Sequence, residues 1–215
     1  GKFPTLLDEV ANIEGVKRLR FTSPHPRDVD DHMLQVMSKH ENICNQIHLP
    51  LQAGSDRILK RMNRTYTSKE FLNLVDKIRQ YIPNCALTTD IIVGFPGETE
   101  EEFLETLSVA EKVEFNSAYM FKYSSRPGTK ASQYDEHITE DEKQDRLERL
   151  IDLQLNKTLM QNKKHVGKIS KVLVEKVSKK SNDQWSGRTE GGTWVVFDKT
   201  NEKIGDIIDV KIDDA

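Results

Sequence analysis

Gln52, Ser55 and Arg64 follow the apolar run His48-Leu-Pro-Leu51 within a few positions, with Ala53-Gly54 between the first two. An apolar strand that passes through a glycine-containing turn into a helix delivers polar groups at its carboxyl end, where parallel sheets collect their sites. Gln52 and Ser55 supply neutral donors and acceptors. Arg64 supplies a planar fork that pairs bidentately with a carboxylate. The plainer reading makes Ser55 a helix N-cap and leaves Arg57, Lys60, Arg61 and Arg64 in surface ion pairs. In a second stretch, Asp90-Ile-Ile-Val-Gly-Phe-Pro-Gly-Glu98, a glycine ending a strand admits close backbone approach. Thr22-Ser-Pro-His25-Pro26 holds a histidine between prolines, placed either to meet substrate or to pin its loop. Ser-His-Asp, His-Glu-x-x-His and phosphate-loop patterns do not occur, so hydrolase and nucleoside-triphosphatase chemistry has no support.

The elements that must position these groups alternate. Strand patterns cover residues 18–22, 46–51, 87–94 and 117–123, the last ending at Tyr123, which reads equally as a core aromatic. Helical patterns separate them. Thr67-Ser-Lys-Glu70, Thr99-Glu-Glu-Glu102 and Thr139-Glu-Asp-Glu142 are capping boxes, each followed by apolar residues at helical spacing, and the third opens a helix expected to reach about residue 164. Strand–helix units of roughly 30 to 40 residues predict a parallel sheet with right-handed crossovers. The carboxylates from Glu98 to Glu105 suit a helix N-terminus and need no catalytic explanation. Beyond Gly167 the period changes to two, at Ile169, 171–175, 194–197 and 207–212, with Gly191-Gly192 and Gly205-Asp206 as turns. That pattern predicts a small all-β barrel.

The 215 residues are 36% hydrophobic and 31% charged, enough for one domain and a small appendage. No run approaches the ~18 apolar residues of a membrane span. The N-terminus lacks a secretory pattern and reads as a cut end. Cys44 and Cys85, 41 residues apart, suggest buried reduced thiols rather than a zinc spacing or a disulfide framework, which favours the cytoplasm. The net charge of −3 hides an uneven distribution: residues 157–188 carry nine basic and two acidic side chains, and residues 189–215 carry three lysines and seven carboxylates. A basic stretch in an acidic chain is a candidate phosphate-binding surface, or simply a solvated face. Trp185, Trp194 and Phe197 lie in or beside it, as base-stacking groups or as core.

The segments 48–67, 90–99 and Ser186-Gly-Arg-Thr189 resemble radical S-adenosylmethionine methylthiotransferases, over essentially the whole chain. The resemblance implies an α/β fold: the last four strands of a six-stranded partial (β/α) barrel in residues 1–164, with a long linking helix, then an RNA-binding TRAM domain, an OB-like barrel, in residues 165–215, stopping before its last strand. It implies S-adenosylmethionine and, in the intact enzyme, two 4Fe-4S clusters. The Cys-x3-Cys-x2-Cys ligand motif is not in these residues, so no metal ligand or catalytic residue is assigned and this chain alone is expected to be inactive and to bind no cluster. By resemblance Gln52, Ser55 and Arg64 contact the cofactor, Ile92 packs on its adenine, Gly94 admits it closely and the segment ending at Tyr123 offers backbone groups. Glu98 falls one place later than the acidic residue of the usual motif. His25 and the basic residues Lys168, Lys171, Lys179, Lys180 and Arg188 are the expected substrate and RNA contacts. The implied reaction is methylthiolation of C2 of N6-isopentenyladenosine next to the anticodon of tRNA, by a cytoplasmic monomer with no membrane partner. Two alternatives stand beside it: an RNA-binding fragment without catalysis, and a methylthiotransferase acting on a related base such as threonylcarbamoyladenosine.

Overall fold

The computed structural model describes residues 2–22 and 25–215. Helix α1 (Lys2–Ala11) and helix α2 (Asp31–Lys39) pack together at one edge, α2 starting where the Asp30 carboxylate accepts from Met33 N at 2.8 Å. Then β1 (Gln46–His48), α3 (Asp56–Arg61), α4 (Ser68–Tyr81), β2 (Ala86–Val93), α5 (Glu100–Val113), β3 (Ser117–Lys122) and α6 (Glu140–Lys163) complete the α/β part. Strands β1, β2 and β3 are parallel and lie in that order. The three capping boxes expected from sequence all form, opening α4, α5 and α6.

Pleating divides each strand between two faces. Ile47, Leu87, Ile91 and Val93 point into a core with Phe71, Val75, Phe103, Val113 and Phe115 from the covering helices. The register places His48 beside Thr88, Asp90 beside Tyr119 and Ile92 beside Phe121 on the other, concave face. There His48 Nδ1 lies 2.9 Å from Thr88 Oγ1 and Nε2 lies 3.3 Å from Asp90.

The first expected strand, residues 18–22, is reduced to a bridge between Leu19 and Ile43. It makes only two ladder bonds, Leu19 N to Asn42 O and Cys44 N to Leu19 O. Its arginines turn instead to the C-terminal sheet. That sheet contains β4 (Ile169–Val177), β5 (Gln184–Thr189), β6 (Trp194–Asp198) and β7 (Ile207–Lys211), antiparallel, in the order β6-β5-β4-β7. Strand β5 carries no clear alternation and was legible only as the Ser-Gly-Arg-Thr segment. Its glycine has a local cause. A Cβ on Gly187 would stand 2.2 Å from Leu173 O, where β4 bulges between Val174 and Lys176.

The two parts touch directly. Arg18 donates to Arg188 O at 2.7 Å and Lys171 O at 3.2 Å, and Arg20 donates to Thr189 O and to Gln46 Oε1. The β5–β6 turn closes on the start of the parallel sheet, where a Cβ on Gly192 would lie 2.6 Å from the Gln46 side chain.

Candidate functional site

At the carboxyl ends of the parallel strands is a cavity of about 850 Å³ whose lining includes Gln52, Arg64, Asp90, Ile92, Phe121 and Tyr123. Four of the residues singled out by sequence therefore converge here: Gln52, Arg64, Ile92 and Tyr123. Gln52 is buried and sits at φ +68, a left-handed conformation that a non-glycine residue adopts at some cost. It is held there from both sides, Gln52 N donating to Asp90 O at 2.8 Å and Ile92 N to Gln52 O at 2.9 Å. The backbone thus fixes the direction of its amide, a constraint no sequence signal announces.

Three side-chain atoms of the lining, Arg61 Nε, Arg64 Nε and Tyr123 Oη, are buried without a hydrogen-bond partner among the described residues. Such groups carry a desolvation cost that a bound polar ligand relieves. The Tyr123 ring is fixed edge-on against Phe95 at 5.1 Å, so its hydroxyl is a positioned donor. Guanidinium and hydroxyl donors, the Gln52 amide and the apolar surfaces of Ile92 and Phe121 together suit a ligand that has both polar and apolar parts.

Ser55 and Gly94 lie outside that lining. Ser55 occupies the N-cap position of α3 without capping it, and its hydroxyl donates to Glu102 Oε1 at 3.0 Å. Glu102 also accepts a bidentate pair from Arg57, both contacts 2.7 Å, and the backbone N–H of Thr99 at 2.9 Å. The Arg57 fork is the largest cause that holds the Glu102 carboxyl down to about 2. Gly94, at φ +70, makes room for α6: a Cβ there would meet Lys143 Cγ at 2.4 Å. Glu98, 2% exposed, accepts from Gly94 N at 2.8 Å and pairs with Arg146 of α6 at 2.8 Å. Burial raises its pKa above the usual carboxylate range. The acidic residue of this motif thus ties α6 to the loop after β2.

His25 stands over the N-terminus of a single 3-10 turn, its Nδ1 accepting from Arg27 N at 3.2 Å and its ring edge-on to Tyr66 at 5.7 Å. Ser23 and Pro24 of the same motif lie outside the described residues. Lys168, Lys171, Lys179 and Lys180 are exposed on the C-terminal sheet and its turns. Arg188 is less free, with Nε on Glu175 Oε1 at 2.7 Å and its guanidinium 5.2 Å from the Trp194 ring. Lys176, which sequence reasoning did not single out, lies 4.1 Å from the same ring.

The thiols do not fit a metal cluster. Cys44 and Cys85 are both buried, and burial pushes the Cys85 thiol up to about 12. Among the described residues no three His, Cys, Asp or Glu side chains gather as a metal-ligand group, and no helix is long and apolar enough to cross a membrane.

Comparison with known proteins identifies the two parts of the chain. Residues 2–110 match the radical SAM superfamily and residues 163–215 match the TRAM domain. The chain is 49% identical over 213 residues to the tRNA-2-methylthio-N(6)-dimethylallyladenosine synthase of Fusobacterium nucleatum, covering 99% of this chain and 49% of that protein. Synthases of the same name from Clostridium tetani and Porphyromonas gingivalis are 48% and 47% identical, over 98% and 100% of this chain and 46% of each relative. The chain thus spans about half the length of the curated relatives it matches. Coproporphyrinogen III oxidase of Escherichia coli, a radical SAM enzyme, superposes with a TM-score of 0.53 at 14% identity, over 77% of this chain and 45% of that one, a likeness of fold. The chain belongs to the radical SAM superfamily and carries a TRAM domain at its C-terminal end.

Proposed function

We propose that these 215 residues are the cofactor-holding and RNA-holding part of a tRNA methylthiotransferase that modifies C2 of N6-isopentenyladenosine beside the anticodon. Identity of 47% to 49% to synthases of that activity supports the reading. The observation that carries it within the chain is the mouth cavity with Arg64 Nε and Tyr123 Oη unpaired. S-adenosylmethionine, when bound, supplies the methyl group and the hydrogen-abstracting chemistry. The residues of this chain hold and orient it: Arg64 faces its carboxylate, Gln52 and Tyr123 its hydroxyl and amino groups, Ile92 its adenine. Ser55 and Gly94 act at one remove, Ser55 by fixing Glu102 and Gly94 by seating α6. His25 stiffens the substrate-side loop. The division of labour falls at residues 164/165, with Lys168, Lys171, Lys179, Lys180 and Arg188 facing tRNA. A monomer in the cytoplasm fits reduced thiols and a tRNA substrate. Taken alone, the chain offers two buried thiols and no ligand set for the clusters, so by itself it is proposed to bind RNA without turning over.

The test is complementation. The full-length protein, expressed in cells lacking 2-methylthioadenosine in their tRNA, should restore the 2-methylthio-isopentenyl nucleoside in tRNA digests analysed by mass spectrometry. Methylthiolation of threonylcarbamoyladenosine instead would reassign the substrate. No methylthio nucleoside at all would sink the transferase reading.

A further inference from the structure

The charge of the barrel mouth exceeds anything the cofactor explains. Its lining includes Lys60, Arg61, Arg64, Lys122, Arg126 and Lys130 against a single carboxylate, Asp90. Arg61 is committed to Glu136 and packs 4.4 Å from the Tyr134 ring, and Lys122 is 3.4 Å from Glu140. Lys60, Arg126 and Lys130 are exposed and have no acidic partner among the described residues. This concentration occurs on a chain of net charge −3. S-adenosylmethionine, a sulfonium that also bears an amino acid group, carries net positive charge and is not favoured by further cations. Like charges gathered around one opening cost energy unless a polyanion spans them.

The loop that carries two of these cations is built. It leaves β3 at Tyr123, turns at Arg126-Pro-Gly-Thr129 with Thr129 Oγ1 donating to Arg126 O at 2.8 Å, and enters a 3-10 turn (Lys130–Gln133) capped by Thr129. It is docked to the rest of the mouth by Gly97 N donating to Glu136 O at 2.7 Å and by the Arg61–Glu136 pair. Arg126 and Lys130 are therefore carried on a hydrogen-bonded loop and line the same cavity as Lys60.

We infer that the barrel mouth has its own grip on RNA backbone, in which Lys60, Arg126 and Lys130 hold phosphates flanking the nucleotide that enters the cavity, separately from the C-terminal sheet. This rests on the tRNA-modifying reading above. Half-exposed Phe121 at the same cavity gives an unstacked base an aromatic surface. The mouth then reads the bent, single-stranded loop, and the C-terminal sheet the rest of the RNA.

The experiment uses the full-length protein and an unmodified tRNA, with binding measured from about 50 to 300 mM salt. Arg126→Ala plus Lys130→Ala should weaken binding about tenfold near 0.15 M salt and reduce the log–log salt slope by about 0.7 to 0.9 per lost phosphate contact. Arg126→Glu plus Lys130→Glu should weaken it further. S-adenosylmethionine affinity, measured on the same proteins, should stay at the wild-type value and would report any collapse of the mouth. Combining the mouth pair with Lys179→Ala plus Lys180→Ala should add the two slope changes, since separate surfaces act independently. Wild-type affinity and slope in both mouth variants would overturn the inference while leaving methylthiolation by the wild type intact. Failure of the wild type to bind tRNA would overturn both.

Discussion

Tyr123 and Gln52 are the residues on which the proposed cofactor site turns, and each makes a separable prediction. The Tyr123 hydroxyl is buried without a partner, so Tyr123→Phe should leave the thermal stability of the unliganded protein unchanged or raise it by up to about 1 kcal/mol. The same variant should bind S-adenosylmethionine more weakly by about 1 to 2 kcal/mol. A destabilised apo protein with unchanged affinity would make Tyr123 a core aromatic and nothing more. Gln52→Gly should relieve the φ +68 conformation and still lose affinity, separating backbone strain from side-chain function in one titration calorimetry series. Gln52 and Arg64 could be named from sequence because a strand end and residue type are local signals, whereas Ile92 and Tyr123 are reached through the family resemblance. The roles of Ser55 and Gly94 could not: Ser55 is taken by a glutamate 47 positions later, and Gly94 by a lysine of α6. Such separations leave no trace in spacing. Arg126 and Lys130 carry no sequence signal of their own, since a Ser-Ser-Arg-Pro-Gly run has the composition of a turn.

At the scale of elements, the turn that enters α3 packs tightly on α5. Gly54 N donates to Thr106 Oγ1 at 2.9 Å, and a Cβ on Gly54 would lie 2.5 Å from Thr106 Cα, so Gly54→Ala should push the two helices apart and cost about 1 to 3 kcal/mol. Equal denaturant midpoints for Gly54→Ala and wild type would show that the approach is looser. The neighbouring carboxylate gives this junction a pH dependence. The folded pKa of Glu102, about 2, lies below the ordinary glutamate value of 4.5. Its contribution is therefore present above the unfolded pKa and is lost as pH falls through about 4.5 towards 2. The shift alone corresponds to at most about 3 kcal/mol, and half-exposed Arg57 brings solvent screening that lowers it to roughly 1 to 2 kcal/mol. Glu102→Gln should flatten that part of the stability–pH curve, and an unchanged acid limb would assign it to other carboxylates. The helices were legible because capping boxes and amphipathic spacing lie within a few residues of one another. The strand expected at 18–22 forms only as the Leu19–Ile43 bridge, because its arginines are spent on carbonyls about 150 to 170 residues away.

For the molecule as a whole, the α/β part and the C-terminal sheet, each proposed to face RNA, are held together from two sides. Helix α6 provides one tether: Gln154 donates to Phe115 O at 2.8 Å and Thr158 to Asn116 O at 2.9 Å, seating its second half against the start of β3. A helix alone would still let the C-terminal sheet swing about the turn at residues 164–168. Arg18 and Arg20 close the other side with four hydrogen bonds, three of them to backbone carbonyls of β4 and β5. Hydrogen bonds from charged donors contribute about 1.5 to 3 kcal/mol each where buried and less where water competes. Arg20 is partly buried, and that burial lowers its pKa. Arg18→Ala plus Arg20→Ala should therefore leave both halves folded, as judged by circular dichroism, and open the joint between them. Trypsin should then cut the turn that contains Lys163, Lys164 and Lys168 roughly tenfold faster, because local opening free energy governs cleavage when opening is fast. In the full-length enzyme the same variant should raise KM for tRNA without altering S-adenosylmethionine affinity, since two linked surfaces lose effective concentration when their geometry loosens. Unchanged proteolysis together with unchanged KM would show that α6 and the Gly191-Gly192 turn hold the joint by themselves.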